Sequence, residues 1–283
     1  MRVSSDAIRA GLAALAVALV APKAEAQVFG GPKPGEIGFL PTVTQNGDDI
    51  VWMHNWILLP VTIGISLLVL GLIIYIVYRF NETANPTPSR RTHNGLLEFA
   101  WTVAPALVLV VIAVPSFRLL ADQLIIPTPD LTLKVTASQW HWNYGYPKSE
   151  GGFSFDSLYV EDKDLKPGQP SVITADHEMV VPVNKVVELD VVSQDVIHSF
   201  SVPSFGIKID AIPGRLNKTW FKAEQVGFFY GQCSNICGID HAFMPINVRV
   251  VSQSDYDAWL VEAKKQFASS DRVDLAAAPL VNP

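Results

Sequence analysis

The stretch Gly231–Pro245, GQCSNICGIDHAFMP, holds both cysteines of a 283-residue chain, one of its six histidines and one of its four methionines. Three chemistries suit such a cluster. Cys233 and Cys237 could pair as a disulfide, but the loop closed would be only a few residues long. The chain entropy removed is then small, and His241 and Met244 are left without a role. A structural zinc ion takes Cys, His or carboxylate ligands; C-x3-C-x3-H supplies three, and a thioether is not a usual fourth. Copper accepts the whole mixture, because thiolate and thioether are soft ligands and imidazole also suits it.

A single blue-copper ion would use one cysteine, one methionine and two histidines. The second thiolate allows a different centre, in which two sulfurs bridge two copper ions and each copper takes one histidine. The loop supplies only His241, so the other imidazole comes from elsewhere in the C-terminal region, where His141, His177 and His198 are the candidates. His198 is favoured. It lies in DVIHSFSVPSF, just past the alternating run 187–191, where a strand beside the loop can present it. His177, in ADHEMVVP, falls in an expected turn and reads as a solvated residue. A centre held by two adjacent strands and their loop changes geometry little between redox states, which favours electron transfer.

The elements that would position these ligands read as β-strands. Leu131-Thr-Leu-Lys-Val-Thr, Val187-Glu-Leu-Asp-Val and Ile246-Asn-Val-Arg-Val alternate apolar and polar residues, and turn clusters such as Lys166-Pro-Gly-Gln-Pro separate them. A terminal helix is expected to start at Ser254 as N-cap and run through DYDAWLVEAKKQF. The C-terminal region is therefore expected to be an all-β Greek-key sandwich or small barrel closed by a short helix. It alone accounts for the net charge of −6. A surplus of that sign steers a basic partner and repels nucleic acid; it is equally a device for solubility.

Upstream, residues 56–78, WILLPVTIGISLLVLGLIIYIVY, carry no charge, and neither do residues 99–117, FAWTVAPALVLVVIAVPSF. At 1.5 Å per residue the first run makes a helix about 34 Å long, against a hydrocarbon core of about 30 Å. Neither run shows the polar face of a soluble helix, so both are expected to span a membrane. The connecting segment holds Arg79, Arg90 and Arg91 against Glu82, which places it on the cytoplasmic side. Both ends of the hairpin then face outward. The N-terminus reads as a secretory signal peptide, with Arg2 and Arg9 ahead of an apolar run and Ala24-Glu25-Ala26 before a cut at Gln27. The expected division is a signal peptide 1–26, an external tail 27–51, a transmembrane hairpin 52–120, a copper-binding domain 121–269 and a flexible tail 270–283.

HSFSVPSFGIKIDAIPGRLN followed by GQCSNICGIDHAFMP strongly resembles cytochrome c oxidase subunit II. The resemblance extends through THNGLLEFAWTVAP, SQWHWNYGYP, FSFDS and DLKPGQ, and so across essentially the whole chain after the signal peptide. It implies a cupredoxin-like domain with a binuclear CuA centre. Cys233 and Cys237 would bridge two copper ions; His198 and Met244 would complete one, and His241 with the backbone carbonyl of Asn235 the other. Electrons would come from cytochrome c and pass to haem in a catalytic oxidase subunit, where oxygen is reduced and protons are pumped. Such a protein sits in the bacterial inner membrane with its copper domain in the periplasm.

The same resemblance implies that Trp140 is the electron entry point, that Glu98 lies at the mouth of a proton pathway, and that Asp195, Asp176 and Asp156 help dock cytochrome c. Two departures matter. The family usually has glutamate where this chain has Asn235, and that carboxylate reaches a magnesium or manganese ion shared with the catalytic subunit. A hard divalent cation prefers anionic oxygen, so that second metal is expected to be weakened or lost. The family often has an acid where this chain has Gly145, which thins the docking surface. The competing reading of the chain is a stand-alone membrane-anchored copper carrier or copper-assembly protein.

Overall fold

The computed structural model describes residues 28–33 and 35–267; the expected signal peptide and the C-terminal tail 270–283 lie outside the described residues. The chain enters as a short strand, β1 (Val28–Gly30), and reaches helix α1 (Gln45–Met53). Thr44 caps α1, its side chain accepting the Gly47 N–H. A π-helical stretch, His54–Leu58, carries α1 straight into α2 (Leu59–Arg79), and α3 (Gly95–Leu124) returns. An 18-residue window in each of the two spans reaches a mean hydropathy of 2.8 and 2.2, and no residue of α2 or α3 is buried within the chain. Such helices are long and apolar enough to cross a membrane. Pro105 and Pro115 sit inside α3; a proline there would disrupt a helix in water, but membrane helices tolerate it where neighbouring groups satisfy the freed carbonyls.

The segment 27–51, expected as an external tail, carries both β1 and most of α1. Asn46, Gly47, Asp48 and Asp49 are poor helix formers. Local propensity therefore hides a helix that is set by its Thr44 cap and by packing: Thr44 Oγ1 also donates to the Phe205 carbonyl of the β-domain, 2.8 Å away.

The domain that follows consists of β2 (Leu131–Ser138), β3 (His141–Gly145), β4 (Ser154–Ser157), β5 (Met179–Pro182), β6 (Val187–Ser193), β7 (His198–Val202), β8 (Ile207–Ala211), β9 (Asn217–Phe221), β10 (Gly227–Cys233) and β11 (Pro245–Val251). One sheet runs β5-β11-β10-β7-β8, with β1 on the first half of the β10 edge whose second half meets β7. The other runs β4-β3-β2-β6-β9. Their inner faces meet in a core that includes Leu133, Val135, Trp142, Tyr144, Leu189, Phe200, Phe229 and Ile246, all fully buried. The expected sandwich is present, and the three alternating runs are strands β2, β6 and β11. Helix α4 (Gln253–Phe267) closes one end, with Trp259 and Phe267 against Phe153. Its cap is Ser252, not Ser254: Ser252 Oγ accepts the Asp255 N–H at 3.2 Å. The helix starts two residues early because Ser252 Oγ, besides accepting that N–H, donates to Asp255 Oδ2 at 2.8 Å, which fixes the cap there.

Two features of this topology place the chemistry. The chain crosses from one sheet to the other between β6 and β7, and His198 is the first residue after that crossing. Beside it, β10 pairs with β7 at Gln232–Ser201 and Cys233–Phe200. Gly231 makes that approach possible, because a Cβ there would collide with the Ser201 carbonyl. Gly231→Ala is therefore expected to reduce stability by about 3 kcal/mol or more, the upper range for overpacking. Chemical denaturation checks this; a loss within about 0.5 kcal/mol would show that the two strands can separate freely.

Candidate metal centre

β7 presents His198, which is fully buried, and β10 ends in Cys233. The loop then carries Asn235, Cys237 and a single 3-10 turn, His241–Phe243, before Met244 leads into β11. Its two ends are tied to the strands: Cys233 N–H donates to the Met244 carbonyl at 3.1 Å, and Ser234 N–H to the Ser199 carbonyl at 3.0 Å. Met244 is buried by this arrangement. The ligand atoms of His198, Cys233 and Cys237 lie within 4.8 Å of one another.

Cys233 Sγ and Cys237 Sγ are 3.8 Å apart and unbonded, well beyond a disulfide length of about 2.05 Å. His198 Nδ1 is 3.9 Å from Cys233 Sγ, His241 Nδ1 is 3.5 Å from Cys237 Sγ, and the Asn235 carbonyl is 3.4 Å from Cys233 Sγ. Metal–thiolate bonds of about 2.3 Å bring two sulfurs to such a separation when one ion binds both. The set is soft and convergent, with His198 and both cysteines buried, so it fits copper. His141 and His177 are engaged elsewhere: His141 lies 3.7 Å from Asp156, and His177 lies 3.2 Å from Asp176.

Asp195 does more than its exposed edge suggests. Its Oδ1 lies 2.8 Å from His198 Nε2, and its Oδ2 accepts the Gln139 N–H at 2.6 Å. Burial works against ionisation of Asp195, but the bonds from His198, Gln139 and Val196 outweigh it and hold the carboxyl below its usual range. A carboxylate on Nε2 leaves Nδ1 free as the ligand nitrogen and fixes the ring. Trp142 is fully buried, edge-on to His198. Trp140 is half-buried and lies over the loop; a Cβ on Gly238 would come within 2.7 Å of its ring. Asp156 accepts from Asn143 Nδ2 and Asp176 from the Leu158 N–H, at 2.8 and 2.7 Å. Glu98 stands apart in the first turn of α3, where it accepts the Asn94 N–H at 3.0 Å.

Residues 131–251 match the family described as cytochrome C oxidase subunit II, periplasmic domain, and residues 32–119 match its transmembrane domain. A probable cytochrome c oxidase subunit 2 of Rickettsia bellii is 44% identical over 246 residues, spanning 87% of this chain and 91% of the relative. This chain belongs to the cytochrome c oxidase subunit II family. A subunit 2 of Cereibacter sphaeroides is also 44% identical, over 271 residues that cover 90% of this chain and 89% of the relative. The solved periplasmic domain of subunit II (CoxB) of Bradyrhizobium japonicum is 55% identical, with a TM-score of 0.48, covering 50% of this chain and 99% of that one. Members of the family are subunits of an oxidoreductase, and the buried His198, Cys233 and Cys237 form the CuA-type ligand group expected of one.

The two thiols of this subunit II chain differ sharply. Burial resists ionisation of Cys233, yet its bonds with His198 and with the backbone at Asn235 and Ser199 lower it to about 6. Burial, then repulsion from the Cys233 thiolate, pushes Cys237 up to about 12. Metal capture needs both sulfurs as thiolates, so between these limits it displaces the Cys237 proton. It also displaces a proton from His198 wherever that imidazole, raised above its usual range against the effect of burial by Cys233 and Asp195, is still protonated. The affinity of the metal-free chain for copper is expected to rise with pH across that window, by at least about tenfold per unit. It should fall more steeply below about 6, where Cys233 is also protonated. Competition against a chelator of known proton affinity measures it; a pH-independent affinity would contradict the assignment of the thiols as ligands.

Proposed function

We propose that this chain is the electron-entry subunit of a respiratory cytochrome c oxidase in a bacterial inner membrane. The hairpin α2–α3 anchors it there, and the β-domain faces the periplasm. The observation that carries this reading is the convergence of His198, Cys233 and Cys237 in one buried pocket at the end of the sandwich. Two copper ions bound there would supply one-electron chemistry between cytochrome c and haem in the catalytic subunit. Cys233 and Cys237 would hold the metal, His198 and His241 would offer Nδ1, and Met244 and the Asn235 carbonyl would complete the set. Asp195 orients His198, and the burial of His198, Cys233, Cys237 and Met244 limits water at the site. Trp140, lying over the Gly238 backbone beside Cys237, offers an aromatic face through which an electron can enter.

Stopped-flow mixing of the assembled oxidase with reduced cytochrome c tests the proposal. Trp140→Leu is expected to slow copper reduction severely while leaving copper content unchanged. Glu98→Ala is expected to slow proton uptake while copper reduction keeps its rate. Unaltered copper reduction in the first variant would remove Trp140 from the path, and unaltered proton uptake in the second would leave Glu98 only its capping bond to Asn94.

A further inference from the structure

Gln139 lies in the turn between β2 and β3, on the sheet opposite the copper loop, and its side chain is exposed. It nevertheless touches both ligand-bearing segments. Its main-chain N–H donates to Asp195 Oδ2 at 2.6 Å, and the other oxygen of that carboxylate meets His198 Nε2 at 2.8 Å. Its side-chain Nε2 donates to the Cys237 carbonyl at 2.7 Å. Gly238 makes room for this contact: with φ of +135°, it would place a Cβ 3.1 Å from the Gln139 amide nitrogen. Among the described residues, the backbone-to-backbone bonds made within 236–243 are otherwise local, from His241 to Gly238 and from Phe243 to Asp240.

We propose that Gln139 is a positioning residue for the metal centre, a clamp that holds the Cys237 loop at a set distance from the segment carrying His198. The ends of the loop are fixed by β10 and β11, but Cys237 sits near its middle. Without a tie there, the spacing of thiolate and imidazole would follow the motion of the loop. A centre that must keep its geometry through a redox cycle needs that spacing fixed before the metal arrives. The clamp spans the two sheets of the sandwich, so it also couples His198 and Cys237 through a route independent of the β7–β10 pairing.

The role in metal binding rests on the copper reading above, and the test separates the two. It uses the full chain in detergent and two variants. Gln139→Met keeps the length and removes the donor; Gln139→Asn keeps the amide but is too short to reach. In the metal-free chain, amide exchange at residues 236–243 is expected to accelerate about three- to tenfold in both variants, the worth of one hydrogen bond, while β7 and β10 keep their rates. In the copper-loaded chain, release to a chelator should accelerate by a similar factor, with a changed copper hyperfine pattern. Exchange that is unchanged, or that rises equally in the strands, would overturn the proposal. So would parent-like behaviour of Gln139→Asn, or faster exchange with unaltered copper release and spectrum. Failure of the parent chain to bind copper would instead sink the metal reading, and the exchange data would still decide whether the clamp exists.

Discussion

Replacing Cys237 with serine is expected to halve the copper content, at least, and to abolish the spectrum of an electron shared equally between two copper nuclei. A serine hydroxyl is hard, neutral at working pH and no bridge for a soft metal. The remaining Cys233 thiolate, with His198 beside it, can hold one ion, and His241 loses the sulfur that lies 3.5 Å from its Nδ1. A single-copper signal, if any, should replace the shared one. The strands are expected to persist, because Cys237 lies in the loop rather than in β10. Copper analysis with EPR of the purified variant checks this. Retention of the full copper content and an unchanged spectrum would show that Cys237 is not a ligand.

Removing the Asp195 carboxylate should have the next largest effect. His198 is wholly buried, so Asp195→Ala leaves its Nε2 with no acceptor at 2.8 Å and its ring free to turn. Loss of such an outer partner typically weakens metal affinity about 10- to 100-fold. Asp195→Asn keeps an oxygen for Nε2–H and is expected to hold copper much more tightly than Asp195→Ala. The two variants remove the same charge, so any part Asp195 plays in docking cytochrome c should weaken equally in both, and more at low salt than at high. Equal copper affinity in the two variants would mean that the bond to His198 contributes little. Equal salt dependence of association in variants and parent would remove Asp195 from the docking surface.

The loop was legible because its ligands are local in sequence and chemically unusual. Two cysteines, a histidine and a methionine in one short stretch leave few alternatives, and the strand alternation around His198 made it the better partner than His141 or His177. The sandwich was legible for a related reason: β2, β6 and β11 each bury one face, so their apolar residues repeat with the strand period. What sequence did not disclose depends on contacts between distant segments. α1 is built from poor helix formers and is set by Thr44, which reaches Phe205. The resemblance offered Asp195 as a docking charge, and neither it nor the residue type disclosed the bond to His198, which follows from the sheet crossing between β6 and β7. An aspartate three residues before a candidate ligand histidine was the available signal. Gln139 gave none, since its partners lie in two other segments.

The most direct test of the account is the copper-to-protein ratio of the purified full chain, measured together with its EPR spectrum. Two copper ions per chain are expected, with one unpaired electron spread evenly over both. One copper per chain with a mononuclear spectrum, or a metal-free chain whose Cys233 and Cys237 are joined as a disulfide, would contradict it.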